Sequence, residues 1–288
     1  MAKDTVFSGK KTLNIGGNVV SLQSPLVMGI LNTTPDSFFD GGRYTHEETI
    51  LARAAAMADQ GVDIIDIGGY SSRPGADDIP EEEELKRVIP HIKNIKKAFP
   101  DVYLSIDTFR AAVAEQSIEA GADIINDISG GELDKRMYDV VTDTQVPYIL
   151  MHMRGTPKTM TKNTAYDSLL IEILDFFEKK VSELHSRGVK DIVVDPGFGF
   201  AKTMDQNYVL LKNLKYFKVL GLPLLAGVSR KSFIYKKLGI APSEALNGTT
   251  VLNTIALLNG AQILRVHDVK EAVETVKLFN LTYNSIEN

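Results

Sequence analysis

Eight short, β-rich apolar runs recur along the chain, each parted from the next by a longer segment with helical spacing. They are PLVMGIL (25–31), DIIDIGG (63–69), VYLSID (102–107), ADIINDIS (122–129), VPYILMHM (146–153), DIVVDPG (191–197), LPLLAGVS (222–229) and AQILRVHD (261–268). Nearly all are apolar on both faces, which is how parallel strands covered on both sides read. The spacers carry helix signals. Glu81–Ala98 opens acidic and closes basic, as the helix dipole favours. Residues 167–187 hold an apolar stripe and stop at Arg187-Gly188, and Thr45 with Glu48 resembles a capping box. Eight such units in 288 residues are about 36 residues each, near the ~30-residue βαβ unit. An α/β chain of this kind closes as a (β/α)8 TIM barrel, typically ~250 residues, expected here over about 25–284. The other solution, an open doubly wound sheet, carries a G-x-G-x-x-G first turn, and no run is followed by one. Polar β-rich pieces around Gly16-Gly17-Asn18 predict an N-terminal β-hairpin at about 5–22, plugging the barrel bottom. No linker or break in composition interrupts residues 1–288, so a single domain is expected.

Composition removes several chemistries. The chain has no cysteine, which excludes disulfides, thiolate zinc sites, iron–sulfur clusters and a cysteine nucleophile. Its 32 basic and 37 acidic residues give a net charge of −5 with no basic block, so no nucleic acid partner is expected. No apolar stretch approaches the ~20 residues of a membrane span, and the start MAKDTVFSGKK lacks the apolar core of a signal peptide. A cytoplasmic protein with no membrane partner is the expectation.

In a barrel of this type the active site lies at the C-terminal strand ends. There the sequence places Asn32; Asp66; Asp107; Asn126 with Asp127; Met151 and His152; Asp195; Ser229, Arg230, Lys231 and Ser232; and Arg265 with His267. Any one of these is as readily a helix cap or a structural hydrogen bond, but capping does not explain all eight ends together. Asp107, Asn126, Asp195 and Lys231 form a carboxylate, amide, carboxylate and cation set. Such a set suits a ring edge with both donors and acceptors, such as a 2-amino-4-oxo pyrimidine, Asn126 and Lys231 supplying donors. Arg265 either stacks on the ring face or joins His267 in clamping a phosphate, and Asn32 offers a ligand to a largely hydrated Mg²⁺. The competing reading of Lys231 is a Schiff base, its pKa lowered by Arg230. Two loops, 32–42 and 68–77, are long enough to be binding loops. Asp195–Thr203 brings Phe200 near a carboxylate at a glycine-flexed turn that lacks the P-loop ending.

The motifs NTTPDSFFDGG (32–42), GGYSSRPGA (68–76), SIDT (105–108), INDISGG (125–131), LMHMRGTP (150–157), DPGFGFAKT (195–203), GVSRKSF (227–233) and RVHDV (265–269) resemble, in order, those of the dihydropteroate synthases. That resemblance implies a folate-biosynthetic barrel enzyme, a target of sulfonamides. It would condense 6-hydroxymethyl-7,8-dihydropterin diphosphate with para-aminobenzoate to give 7,8-dihydropteroate and diphosphate. It further implies that Asp107, Asn126, Asp195, Lys231, Gly227 and Arg265 read the pterin between Met151 and Phe200. Asn32, Arg265 and His267 would hold the diphosphate, Asn32 also contacting Mg²⁺. Phe38, Asp40, Ser72, Arg73, Pro74 and Ser232 would form the para-aminobenzoate side and its loops. Lys231, Arg265, His267 and Asp107 would carry catalysis, and the late helices near 243–259 and 269–284 a homodimer. The chain departs from the family's frequent Glu-Ser-Thr-Arg-Pro with Tyr70-Ser71-Ser72-Arg73-Pro74; Ser72 keeps the hydroxyl. The alternative is a pterin-binding methyltransferase domain acting on a reduced folate and a corrinoid, which needs no anion clamp.

Overall fold

The computed structural model describes residues 9–33, 46–71 and 78–283. The chain opens with a hairpin of β1 (Thr12–Ile15) and β2 (Asn18–Ser21), antiparallel with Ile15 opposite Asn18. Its two-residue turn holds Gly16 at φ 57° and Gly17 at φ 83°. Two left-handed residues in succession give the turn that matches strand twist, and side chains resist that conformation.

Strands and helices then alternate. β3 (Leu26–Asn32) precedes α1 (His46–Asp59), β4 (Ile64–Gly68) precedes α2 (Glu81–Ala98), and β5 (Tyr103–Asp107) precedes α3 (Ala111–Glu119). β6 (Ile124–Asp127) leads to α4 (Met137–Thr144), β7 (Tyr148–Met151) to α5 (Leu169–Ser186), and β8 (Ile192–Asp195) to α6 (Met204–Lys212). β9 (Leu225–Ala226) is followed by α7 (Ser232–Leu238) and α8 (Leu246–Leu258), and β10 (Ile263–Val266) by α9 (Val269–Tyr283). The eight strands pair in the order β8-β7-β6-β5-β4-β3-β10-β9, parallel throughout. The seam between β8 and β9 closes through a parallel bridge from Val194 to Leu224 and a 2.8 Å bond from the Val194 N–H to the Pro223 carbonyl. The architecture is the (β/α)8 barrel the run spacing predicts. β9 is much shorter than its apolar run, because Pro223 brings no N–H to the ladder and the chain turns at Arg230, whose φ is 52°.

Strand alternation sorts the apolar residues into two cores. One parity, including Val27, Leu31, Ile65, Ile67, Leu104, Ile106, Ile125 and Val194, packs outward against Ile50, Val88, Ile92, Phe177 and Leu184 of the helices. The other parity supplies Met28, Ile64, Ile124, Ile149, Val193, Leu225 and Ile263, which meet Leu13, Ile15 and Leu22 in a separate cluster. The hairpin therefore plugs the N-terminal end of the barrel. Each fully buried side chain in these clusters contributes about 1.5–3 kcal/mol of transfer free energy. Among the described residues, no helix is long and apolar enough to cross a membrane.

Candidate active site

Successive strand residues point to opposite faces, so a step of two stays on one face. From the inner apolar layer, one such step leads from Ile64 to Asp66, Ile124 to Asn126, Ile149 to Met151, Val193 to Asp195, Leu225 to Gly227 and Ile263 to Arg265. Two steps lead from Met28 to Asn32 and from Tyr103 to Asp107. The barrel interior thus changes from apolar to polar within one layer.

Arg265 holds the centre. Its Nε donates to Asp66 Oδ2 at 2.6 Å and its Nη2 to Asp107 Oδ2 at 2.5 Å. The same Asp66 oxygen accepts from Asn126 Nδ2 at 3.0 Å. Asp66 is buried, and its other oxygen, like the hydroxyl of its ladder neighbour Ser105, has no hydrogen-bond partner among the described residues. Burial pushes the Asp107 carboxyl up to about 7, with Arg265 opposing the rise and Asp66 adding to it. Burial also works against the charge of Arg265, but Asp66 and Asp107 outweigh it and hold the guanidinium protonated above its ordinary range.

Opposite stand Asp195, at the end of β8, and Lys231, just ahead of α7. Asp195 accepts from the Gly197 N–H at 2.8 Å; burial raises its pKa, and Lys231 is the strongest opposing charge. Lys231 Nζ donates to the Phe198 carbonyl and lies 4.5 Å from the centre of the Phe200 ring. Burial lowers its amine to about 8 against the pull of Asp195. Beneath this loop Lys202 Nζ meets His152 Nδ1 at 3.1 Å and the carbonyls of Gly197 and Phe200 at 3.0 Å each. Burial lowers Lys202 to about 7, and burial together with Lys202 keeps His152 well below its ordinary value, a neutral imidazole. Gly197 has φ 74°, and a Cβ there would lie 2.1 Å from the His152 carbonyl oxygen, so only glycine lets the loop approach β7 this closely.

The structure brings together Asp107, Asn126, Asp195, Lys231 and Arg265. Asn32 and Asp107 flank Gly68, where a Cβ would sit 3.7 Å from Asn32 Oδ1 and 3.6 Å from Asp107 Cβ. Gly227 faces Arg265, whose Cβ would be 3.8 Å from a Cβ at that glycine. Met151 lies in an apolar cluster with Ile128, Met153, Met160 and Ala201, and Phe200 packs against it. Beyond Arg265, His267 Nδ1 lies 3.1 Å from Ser229 Oγ, which also accepts from the His267 N–H at 3.1 Å. Ser232 is exposed in the first turn of α7. Phe38, Asp40, Ser72, Arg73 and Pro74, with Thr45 of the expected capping box, lie outside the described residues.

Two sequence expectations change. Arg230 does not press on Lys231: it donates Nε and Nη2 to Asp268 at 2.9 and 2.7 Å, and the cation acting on Lys231 is Arg265. Asn126, read as a donor, has Nδ2 directed to Asp66. The sequence reading also left without a role Asp66, the junction of Arg265 and Asn126, and Lys202. Asp66 has a signal in the text, since it shares the parity of Ile64. Lys202 has none.

The family described as pterin binding enzyme matches residues 28–267. The dihydropteroate synthase of Escherichia coli K12 is 42% identical over 274 residues, covering 94% of this chain and 96% of that one. That of Synechocystis is 47% identical over 255 residues, 88% of each chain. The structure of Xanthomonas albilineans dihydropteroate synthase with 4-aminobenzoic acid superposes with a TM-score of 0.90 at 37% identity, over 96% of this chain and 99% of that one. Fold, polar layer and kinship agree: the chain belongs to the dihydropteroate synthase family of pterin-binding enzymes.

Proposed function

We propose that this chain joins 6-hydroxymethyl-7,8-dihydropterin diphosphate to para-aminobenzoate, forming 7,8-dihydropteroate and releasing diphosphate. The observation that carries the reading is the polar layer of Asp107, Asn126, Asp195 and Arg265 on inward strand positions, with Lys231 facing Asp195 from just ahead of α7, in a chain of this family. These residues bind the pterin edge, with Met151, Phe200 and Gly227 as walls.

The C–O bond to diphosphate breaks, leaving a CH₂ cation delocalised into the electron-rich ring. The neutral arylamine nitrogen then attacks that carbon and loses its proton, so no nucleophile–base pair is required. Arg265, matched by Asp66 and Asp107, brings donors and shape with little net charge. Asp195 therefore favours the positive ring in a site shielded from water. Asn32, His267 and the remaining N–H groups of Arg265 face the leaving group. Ser232, Phe38, Asp40, Ser72, Arg73 and Pro74 belong to the arylamine side.

Asn32 offers one hard oxygen to a cation, and among the described residues no group of three or more His, Cys, Asp or Glu could hold a metal. A Mg²⁺ held at Asn32 would complete its shell with water and phosphate oxygens, the set this ion favours, and would neutralise leaving-group charge. The reading includes a homodimer through the late helices. Val251 and Leu258 are exposed there, and a groove lined by Tyr208, Leu211, Leu252 and Ile255 runs between α6 and α8. It also includes a cytoplasmic location, which the lack of cysteine suits.

A diphosphate-release assay tests the reaction. Release should require both substrates and match dihydropteroate formed one to one. Release without incorporation of para-aminobenzoate, or methyl transfer from a reduced folate to a corrinoid, would overturn it.

A further inference from the structure

We propose that Asp66 is a positioning residue that fixes which end of the Asn126 amide faces the ligand, and so selects a ring edge whose exocyclic amine donates to Asn126 Oδ1. Asp66 is buried on the inner face of β4, and its Oδ2 receives both Arg265 Nε at 2.6 Å and Asn126 Nδ2 at 3.0 Å. A carboxylate only accepts, so the amide must turn its NH₂ toward it; the reverse orientation would set oxygen against oxygen. The partner on the other side is a guanidinium, which only donates and does not give up its proton, so the shared oxygen is held in the role of acceptor. Asp66 and Asn126 are 60 residues apart in sequence and on strands separated by β5. The orientation of Asn126 is thus set by the fold and not by the ligand.

The consequence is selectivity, and it rests on the pterin reading above. A pterin edge presents a ring nitrogen acceptor beside a 2-amino donor. The 2-oxo counterpart inverts that order, with a ring N–H beside an oxygen acceptor. A freely turning amide would read either edge, whereas a fixed amide reads one. A site whose buried polar groups are set for one pattern discriminates strongly against its inverse.

The test compares kcat/KM for 6-hydroxymethyl-7,8-dihydropterin diphosphate and for its 2-oxo counterpart, in the wild-type chain and in Asp66→Asn. The asparagine fits the same space but can meet Asn126 in either orientation. Wild type should prefer the 2-amino compound, and Asp66→Asn should shrink that preference by about tenfold, beyond any loss common to both. A common loss with the preference intact would mark Asp66 as merely structural and overturn the proposal. A second measurement needs neither turnover nor a folded variant. In wild-type protein the side-chain amide protons of Asn126 should show a through-space NMR contact to Arg265 Hε, since both donors share one oxygen. Absence of that contact would overturn the proposal. Failure of the wild type on the 2-amino substrate, with the contact present, would instead count against the proposed reaction.

Discussion

Lys202 Nζ stands 3.1 Å from His152 Nδ1, an amine and an imidazole buried together beneath the loop that carries Phe200. With the carbonyls of Gly197 and Phe200 as the other two acceptors, the ammonium's three N–H groups are all engaged. With Lys202 as the ammonium, His152 offers a lone pair at Nδ1. The pair ties the end of β7 to the β8–α6 loop.

Lys202→Met should release that loop and lower kcat/KM about tenfold through misplacement of Phe200. It also has a pH signature. The folded-state value of about 7 lies below the ordinary 10.5, so between these the unfolded chain binds more protons and stability rises with pH. The lysine's contribution is complete above 10.5 and lost as pH falls through 7. Thermal unfolding should therefore show the wild type gaining on the variant from pH 7 to pH 10.

Asp107, raised from 3.8 to about 7, should place a rising limb near neutrality in the pH profile of kcat/KM. Asp107→Asn should flatten that limb and lower the plateau about 100-fold. In stability the sign runs the other way. The raised group contributes fully below 3.8 and loses its contribution as pH rises through about 7. Denaturation curves for the two proteins should converge or cross over that range.

Asp195→Asn removes the charge facing Lys231 and leaves a single acceptor oxygen, which the Gly197 N–H already occupies. Pterin diphosphate binding, followed by calorimetry, should weaken about 10- to 100-fold, the scale of one charge-assisted hydrogen bond. Unchanged affinity would contradict the assignment.

Lys231→Met should abolish turnover while the protein stays folded. Borohydride added to the wild-type enzyme with its substrates should trap no adduct. A trapped adduct on Lys231 would favour the Schiff-base reading.

Chelation of divalent cations should stop diphosphate release, and added Mg²⁺ should restore it. Full activity in chelator would remove the ion from the scheme.

Local chemistry made much of the fold readable. The acidic start and basic end of Glu81–Ala98 coincide with the observed limits of α2. Gly16-Gly17 marks the hairpin turn, and the doubly apolar runs become strands whose two parities divide between outer and inner cores. The polar strand ends were readable too, because Asp107, Asn126, Asp195 and Arg265 fall at the inward positions that alternation dictates. What sequence could not supply was who bonds to whom. Arg265 pairs with Asp66 across 199 residues and with Asp107 across 158, so its engagement by two carboxylates left no local trace. Lys202 reads as an ordinary helix-leading lysine until the loop folds it under Phe200.

The hairpin beneath the barrel has a consequence for traffic. With Leu13 and Ile15 wedged among the inner strand residues, passage through the N-terminal end of the barrel is blocked. Whatever reaches Arg265 and Asn126 therefore comes and goes on the side of the C-terminal strand ends.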